Sequence, residues 1–132
     1  MKLNDICPIC YETPGSHSFD KICELGGVCM MYTKPSSATK YKDQAGILRH
    51  VENMLASIGD KKWSWTIDGE GFSLKHATEV GTIQKILEII KNKYISTLVS
   101  IKVLNMNNAI RHMYTLISPF VDGTLDDKIV WR

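Results

Sequence analysis

A chain of 132 residues that is 44% apolar, 23% charged and 8% aromatic is long enough for one hydrophobic core and short for two, so a single domain is expected. Sixteen Lys plus Arg against fourteen Asp plus Glu leave a formal +2 that is dispersed along the chain, which argues against a nucleic-acid binder with its concentrated basic face. The start, Met1 to Pro8, carries no apolar run of secretory length and no later stretch approaches the roughly 20 apolar residues of a membrane span, so a cytoplasmic protein is expected, with its four cysteines as reduced thiols or metal ligands.

Residues 1–15, with Pro8, Pro14 and Gly15 and no hydrophobic period, read as irregular. From Ser18, the helical spacing of Phe19, Ile22 and Leu25 and the stop at Gly26-Gly27 predict a short helix. Val28 to Thr33 is an apolar run of strand length, followed by a loop from Lys34 to Ala38. Ile47, Leu48, Val51, Met54, Leu55 and Ile58 recur every three or four residues up to Gly59, which predicts an amphipathic helix. Trp63 to Ile67 reads as a strand closed by Asp68-Gly69 and Gly71. Ile83, Ile86, Leu87 and Ile90 form a further helical stripe, and Leu98 to Leu104 a further strand. Ile110, Met113, Tyr114, Ile117 and Phe120 mark a last helical face, interrupted near its end by Pro119, before a short strand from Lys128 to Trp131. Strands alternating with helices predict an α/β fold with a mostly parallel sheet and helices on its faces.

Candidate chemistry is sparse. Cys7-Pro8-Ile9-Cys10 is a CxxC knuckle that presents two thiolates to a tetrahedral zinc ion, with Cys23, Cys29 and His17 as candidates for the rest. Together with Tyr11-Glu12 it is similar to the first knuckle of a RING finger, but the paired knuckles that would supply a RING's other ligands are absent, and free thiols are favoured over a bound ion. Asp68-Gly69-Glu70-Gly71 at a strand's end reads as a glycine-rich turn with solvated acids, because no nucleophile, histidine partner or phosphate-loop lysine accompanies it. His17, His50, His76 and His112 are scattered without a ligand or catalytic pairing. An enzyme is therefore not expected. Met106, Met113, Tyr114 and Phe120 on the last helical face suggest a pliable apolar surface over a hydrophobic ligand, a pattern that core packing explains equally.

Three ordered segments together resemble the CRAL-TRIO family of lipid-binding and lipid-transfer domains, which includes the phosphatidylinositol/phosphatidylcholine transfer proteins. They are Trp65 to Ser73 with its Asp68-Gly69, Tyr94 followed by Leu98 to Asn105, and Ile117-Ser118-Pro119-Phe120-Val121 through Lys128-Ile129. The resemblance covers residues 18–132 and leaves 1–17 as an irregular N-terminal segment carrying the CxxC. It implies an α/β fold with a mixed, mainly parallel sheet flooring a lipid pocket, and a mobile gate between two hinges. Carried over, the first hinge is Val103, Leu104 and Asn105 and the second lies at Lys128, Ile129 and Val130. The gate between them is the Met106 to Phe120 helix, with Ile110, Met113, Tyr114 and Ile117 on its apolar face, and the Val121 to Asp127 loop.

The headgroup positions depart from the family. Lys128 is kept at the second hinge as the expected phosphate contact, Ser96 stands where a Glu is usual, and Trp63 and Trp65 replace small hydroxyl residues that contact choline. The expected function is thus non-enzymatic binding, with transfer as an extension, of a phospholipid or other hydrophobic molecule, with transient peripheral membrane contact and no required cofactor. The alternatives are a protein-interaction module that kept the fold without an open pocket, and a zinc-bound adaptor through Cys7 and Cys10 with His17 and Cys23. The chain is short for the family, and its last strand offers an edge that a second copy would pair.

Overall fold

The computed structural model describes residues 7–121 and 123–131. Five strands, β1 (Asp20–Leu25), β2 (Val28–Thr33), β3 (Lys62–Asp68), β4 (Leu98–Leu104) and β5 (Ile129–Trp131), form one sheet in the order β1-β2-β3-β4-β5. The β1–β2 pair is antiparallel and the other three pairs are parallel, which is the mixed, mainly parallel sheet expected. The reason is connection length: β1 and β2 are joined by two residues, whereas every later pair is joined by a helical crossover.

The expected helix from Ser18 is instead strand β1. Gly26 and Gly27 have φ of 57° and 80°, the doubly left-handed geometry of a tight hairpin turn, so the Gly-Gly pair closes a hairpin rather than stopping a helix. Leu25 pairs with Val28 across it. The three-residue spacing of Phe19, Ile22 and Leu25 misled because β1 is an edge strand whose last four residues are exposed, so no alternating pattern marks it. The expected irregular start also contains structure: a short helix α1 (Pro8–Glu12), with Pro8 at its first position.

The remaining helices are α2 (Gln44–Ile58), α3 (Leu74–Ala77), α4 (Val80–Ile89), α5 (Asn108–Ile117) and α6 (Gly123–Asp126). Asp43 caps α2 by accepting from the Gly46 amide, and Gly59 ends it at φ 64°. Past α4 the chain makes a π-helical turn from Ile90 to Tyr94, which buries Ile90 completely.

Because β2 to β5 are laid down in sequence order with parallel neighbours, right-handed crossovers carry every connecting helix to the same face. Residues of α2, α4 and α5 accordingly meet one set of strand residues, Trp65, Ile67, Ile101, Val103 and Ile129. As expected, the sheet is flanked by helices, with α2, α4 and α5 forming a layer over this face. The core lies within it, where Met31, Trp63, Trp65 and Ile101 of the sheet pack with Val51, Met54 and Leu55 of α2 and Ile86 of α4. Among the described residues, no helix is long and apolar enough to cross a membrane.

Candidate functional site

Between this sheet face and the helices the packing is incomplete. A cavity of about 170 Å³ is walled by Trp65, Ile67, Ile101 and Val103 on the floor, Val51, Ile83, Ile86 and Leu87 on one side, and Ile110, Met113, Tyr114 and Ile117 of α5 above. The lining is almost wholly apolar. Two polar groups at its wall are bonded within the protein: Trp65 Nε1 donates to Thr33 Oγ1 at 2.7 Å, and His76 Nδ1 accepts from the Ser73 amide at 3.0 Å. Among the described residues, every buried side-chain nitrogen or oxygen has a partner. Such a space favours apolar matter over a polar headgroup. At one end Tyr41 joins the lining, with the ammonium groups of Lys42 and Lys75 5.8 and 5.7 Å from its ring centroid.

α5 roofs the cavity and is tied at both ends. At its start Asn107 Oδ1 accepts from the Ile110 amide at 3.0 Å, while its Nδ2 donates to the Gly69 and Phe72 carbonyls at 3.1 Å. Gly69 is required there, since a Cβ would stand 2.1 Å from Ile110 Cδ1 and 2.7 Å from the Asn105 carbonyl oxygen. Asp68 is bound rather than solvated: its carboxylate accepts from Tyr32 Oη at 2.5 Å and Asn105 Nδ2 at 2.8 Å. The bond from Tyr32, then that from Asn105, holds Asp68 below the usual carboxylate range, and the same carboxylate pushes Tyr32 up to about 12. At the far end Tyr114 donates to Asp126 of α6 at 2.5 Å, and its ring packs edge-on against Trp131 with centroids 4.8 Å apart. Leu125 of α6 is 1% exposed, so the returning segment is anchored in the core.

These contacts sort the expected gate and hinge residues. Ile110, Met113, Tyr114, Ile117, Trp65 and Ile129 line the cavity. Among the described residues, Trp63, Ser96, Met106 and Lys128 do not. Trp63 is fully buried and donates to the Tyr94 carbonyl at 3.3 Å, and Lys128 Nζ donates to the Leu98 carbonyl at 2.7 Å, so its ammonium is spent on the backbone. Phe120 closes a 3-10 turn after α5; its side chain lies outside what is described. Val103 and Leu104 are paired to β3 and belong to the strand, and Ile129 and Val130 are paired to β4. Asn105, at φ 53°, is where the backbone turns away. Val103 also lines the cavity, as do Phe19, Phe72 and Trp131, which sequence reasoning did not assign; these segments meet only in the tertiary fold, which leaves no mark on local spacing.

A second cluster lies at the N-terminal end of α2. Cys7, Cys10, His17 and His50 are all buried, and their ligand atoms lie within 4.8 Å of one another. His17 Nδ1 is 3.5 Å from Cys7 Sγ and 3.6 Å from Cys10 Sγ, and His50 Nδ1 is 3.6 Å from Cys10 Sγ. Burial works to raise the Cys7 thiol, but bonds from the Cys10 backbone, His50 and His17 outweigh it and bring it down to about 6. Burial, reinforced by Cys7, pushes Cys10 up. Burial also works against the charged form of His50, which Asp20, Cys7 and the Phe19 carbonyl nevertheless hold at about 9. Three of the four expected ligand residues are thus together. Cys23 is not among them, because it stands exposed on β1, and Cys29 is buried in the core beside Glu24. His50 was missed as a ligand, although its place between Ile47 and Met54 put an imidazole on the buried stripe of α2.

Compared with known proteins, residues 27–131 match the CRAL/TRIO domain family. The CRAL-TRIO domain-containing protein T23G5.2 of Caenorhabditis elegans is 34% identical over 70 residues, which are 52% of this chain and 10% of that protein. The chain thus spans only a small part of that relative's length. The crystal structure of Sfh5 superposes with a TM-score of 0.68 at 16% identity, covering 86% of this chain and 46% of that one. At that identity the likeness is one of fold.

Proposed function

The chain belongs to the CRAL-TRIO family, whose domains bind lipophilic ligands, and we propose that it holds the apolar part of a phospholipid or other hydrophobic molecule between the sheet and α5. The observation that carries this reading is the apolar, polar-satisfied cavity roofed by Ile110, Met113, Tyr114 and Ile117. Its 170 Å³ is close to the ~150 Å³ that holds a benzene-sized guest and below the ~300 Å³ where drug-sized sites begin. In this reading the space beneath α5, as it stands, has room for a few methylenes. A full acyl chain requires α5 to lift about Asn105–Asn107, and each methylene then buried contributes about 0.8 kcal/mol.

Binding, not covalent chemistry, is the activity in this reading. Because Lys128 is bonded to the Leu98 carbonyl, an anionic headgroup is better served by Lys42 and Lys75 beside Tyr41 at the cavity's end. Opening against a bilayer surface would make the contact peripheral and transient and would permit transfer. Native mass spectrometry of protein purified from cells, with displacement of a fluorescent fatty acid, tests the proposal. A co-purifying lipid, displaced by long-chain competitors and excluded by Ile110→Trp, is expected. No lipid and no displacement would sink it and favour the protein-interaction reading, for which the exposed Ile22 and Leu25 on edge strand β1 speak.

A further inference from the structure

We propose that Cys7, Cys10, His17 and His50 form a tetrahedral Cys₂His₂ zinc site that fastens the N-terminal arm to α2. The proposal stands apart from the ligand reading. Three of its residues precede the span that matches the family, so the clamp is an addition to that domain.

The geometry carries it in two independent ways. Zinc–sulfur bonds of about 2.3 Å and zinc–nitrogen bonds of about 2.0–2.1 Å at a tetrahedral angle set sulfur and nitrogen about 3.5–3.6 Å apart. The Sγ–Nδ1 separations between Cys7 and His17, Cys10 and His17, and Cys10 and His50 are 3.5, 3.6 and 3.6 Å. Second, each imidazole is oriented from behind. His17 Nε2 lies 3.0 Å from Asp43 Oδ2 and His50 Nε2 lies 2.7 Å from the Phe19 carbonyl oxygen, so each Nε2–H can donate outward and each Nδ1, once deprotonated, would face the sulfurs with its lone pair. A carboxylate or carbonyl behind a histidine ligand is the arrangement that fixes tautomer and ring direction in metal sites.

Four protein ligands leave no open position, so the site is structural. On binding, the protons carried by the thiols and imidazoles of the cluster give way to the metal and pass to solvent, leaving two thiolates and two neutral imidazoles. The consequence for the fold is local. The ion ties α1 and the Ser16–Phe19 segment to α2, and Phe19 turns its carbonyl to His50 while its ring lines the apolar cavity. Asp43 serves twice, since it also caps α2.

The test is elemental analysis of the full chain purified without chelator, followed by cobalt(II) substitution. One zinc per chain is expected, and the cobalt form should show the intense visible bands of tetrahedral coordination with thiolate charge transfer. Cys23→Ser should keep full zinc. Asp43→Asn, which preserves an N-cap, should weaken zinc about 10- to 100-fold. His50→Cys guards against a variant that merely fails to fold: it keeps four ligands and should raise the cobalt charge-transfer intensity by about half, as three thiolates replace two. Less than stoichiometric zinc with an octahedral cobalt spectrum, a Cys7–Cys10 disulfide in protein kept under reductant, or a cobalt spectrum unchanged by His50→Cys would each overturn it.

Discussion

Phe19 belongs to both halves of this molecule's chemistry. Its carbonyl accepts from His50 in the Cys/His cluster, and its ring stands 5.4 Å from that of Trp65 at the cavity wall. The cluster is built of directional groups, two sulfurs and two imidazoles whose ligand atoms lie within 4.8 Å of one another. The cavity is walled almost wholly by apolar area, with directional bonds at the ends of its roof, at Asn107 and Tyr114. A directional site discriminates by geometry and fails when one group moves by an ångström. An apolar site discriminates by size, and the roof proposed to adapt is α5, bonded at Asn107 and Tyr114.

The widest separation between the two regions should come from stripping the metal. Chelation should cost the amides of residues 8–19 and the start of α2 most of their hydrogen-exchange protection while those of β3 and β4 keep theirs; uniform loss across the chain would mean that the two regions are one cooperative unit. Next in size is Met113→Ala, which should destabilise by about 2–5 kcal/mol in denaturant melts while raising affinity for bulkier ligands, because the residual space adjoins an existing cavity. Gly69→Ala drives a Cβ into Ile110 and the Asn105 carbonyl and should cost about 1–3 kcal/mol, with altered ligand entry measured by stopped-flow fluorescence.

Smaller still, Tyr114→Phe removes the bond to Asp126 and should cost about 0.5–1.5 kcal/mol and speed ligand uptake; an unchanged uptake rate would show that this tie does not restrain the roof. The least effect concerns Tyr32 on the sheet. Its pKa is raised, by its bond to Asp68 first and then by burial, from 10.0 to about 12, so its contribution is complete below pH 10.0 and is lost as pH rises toward 12. Tyr32→Phe should flatten the stability profile in that window, and an identical decline in both proteins would refute the linkage.

The parts legible from sequence are those whose cause is local. The stripe from Ile47 to Ile58 with Gly59 behind it is α2, the run from Leu98 to Leu104 is β4 residue for residue, and the face of Ile110, Met113, Tyr114 and Ile117 is the cavity's roof. The hairpin was obscured because Gly-Gly serves a helix stop and a tight turn alike, and only pairing with β2 decides between them. Lys128 was legible as a cation at the second hinge, but not as one whose ammonium reaches the Leu98 carbonyl on the neighbouring strand.

By itself, then, the sequence determined the alternation of strands and helices, the family to which residues 27–131 belong, and the apolar character of α5, because periodicity and composition act over a few turns of chain. The tertiary structure alone decided that α2, α4 and α5 share one face of the sheet, that a cavity remains beneath α5, and that His50 rather than Cys23 stands with Cys7, Cys10 and His17. Those outcomes depend on crossover handedness and on contacts between residues tens of positions apart, for which no local spacing in the chain is a signal.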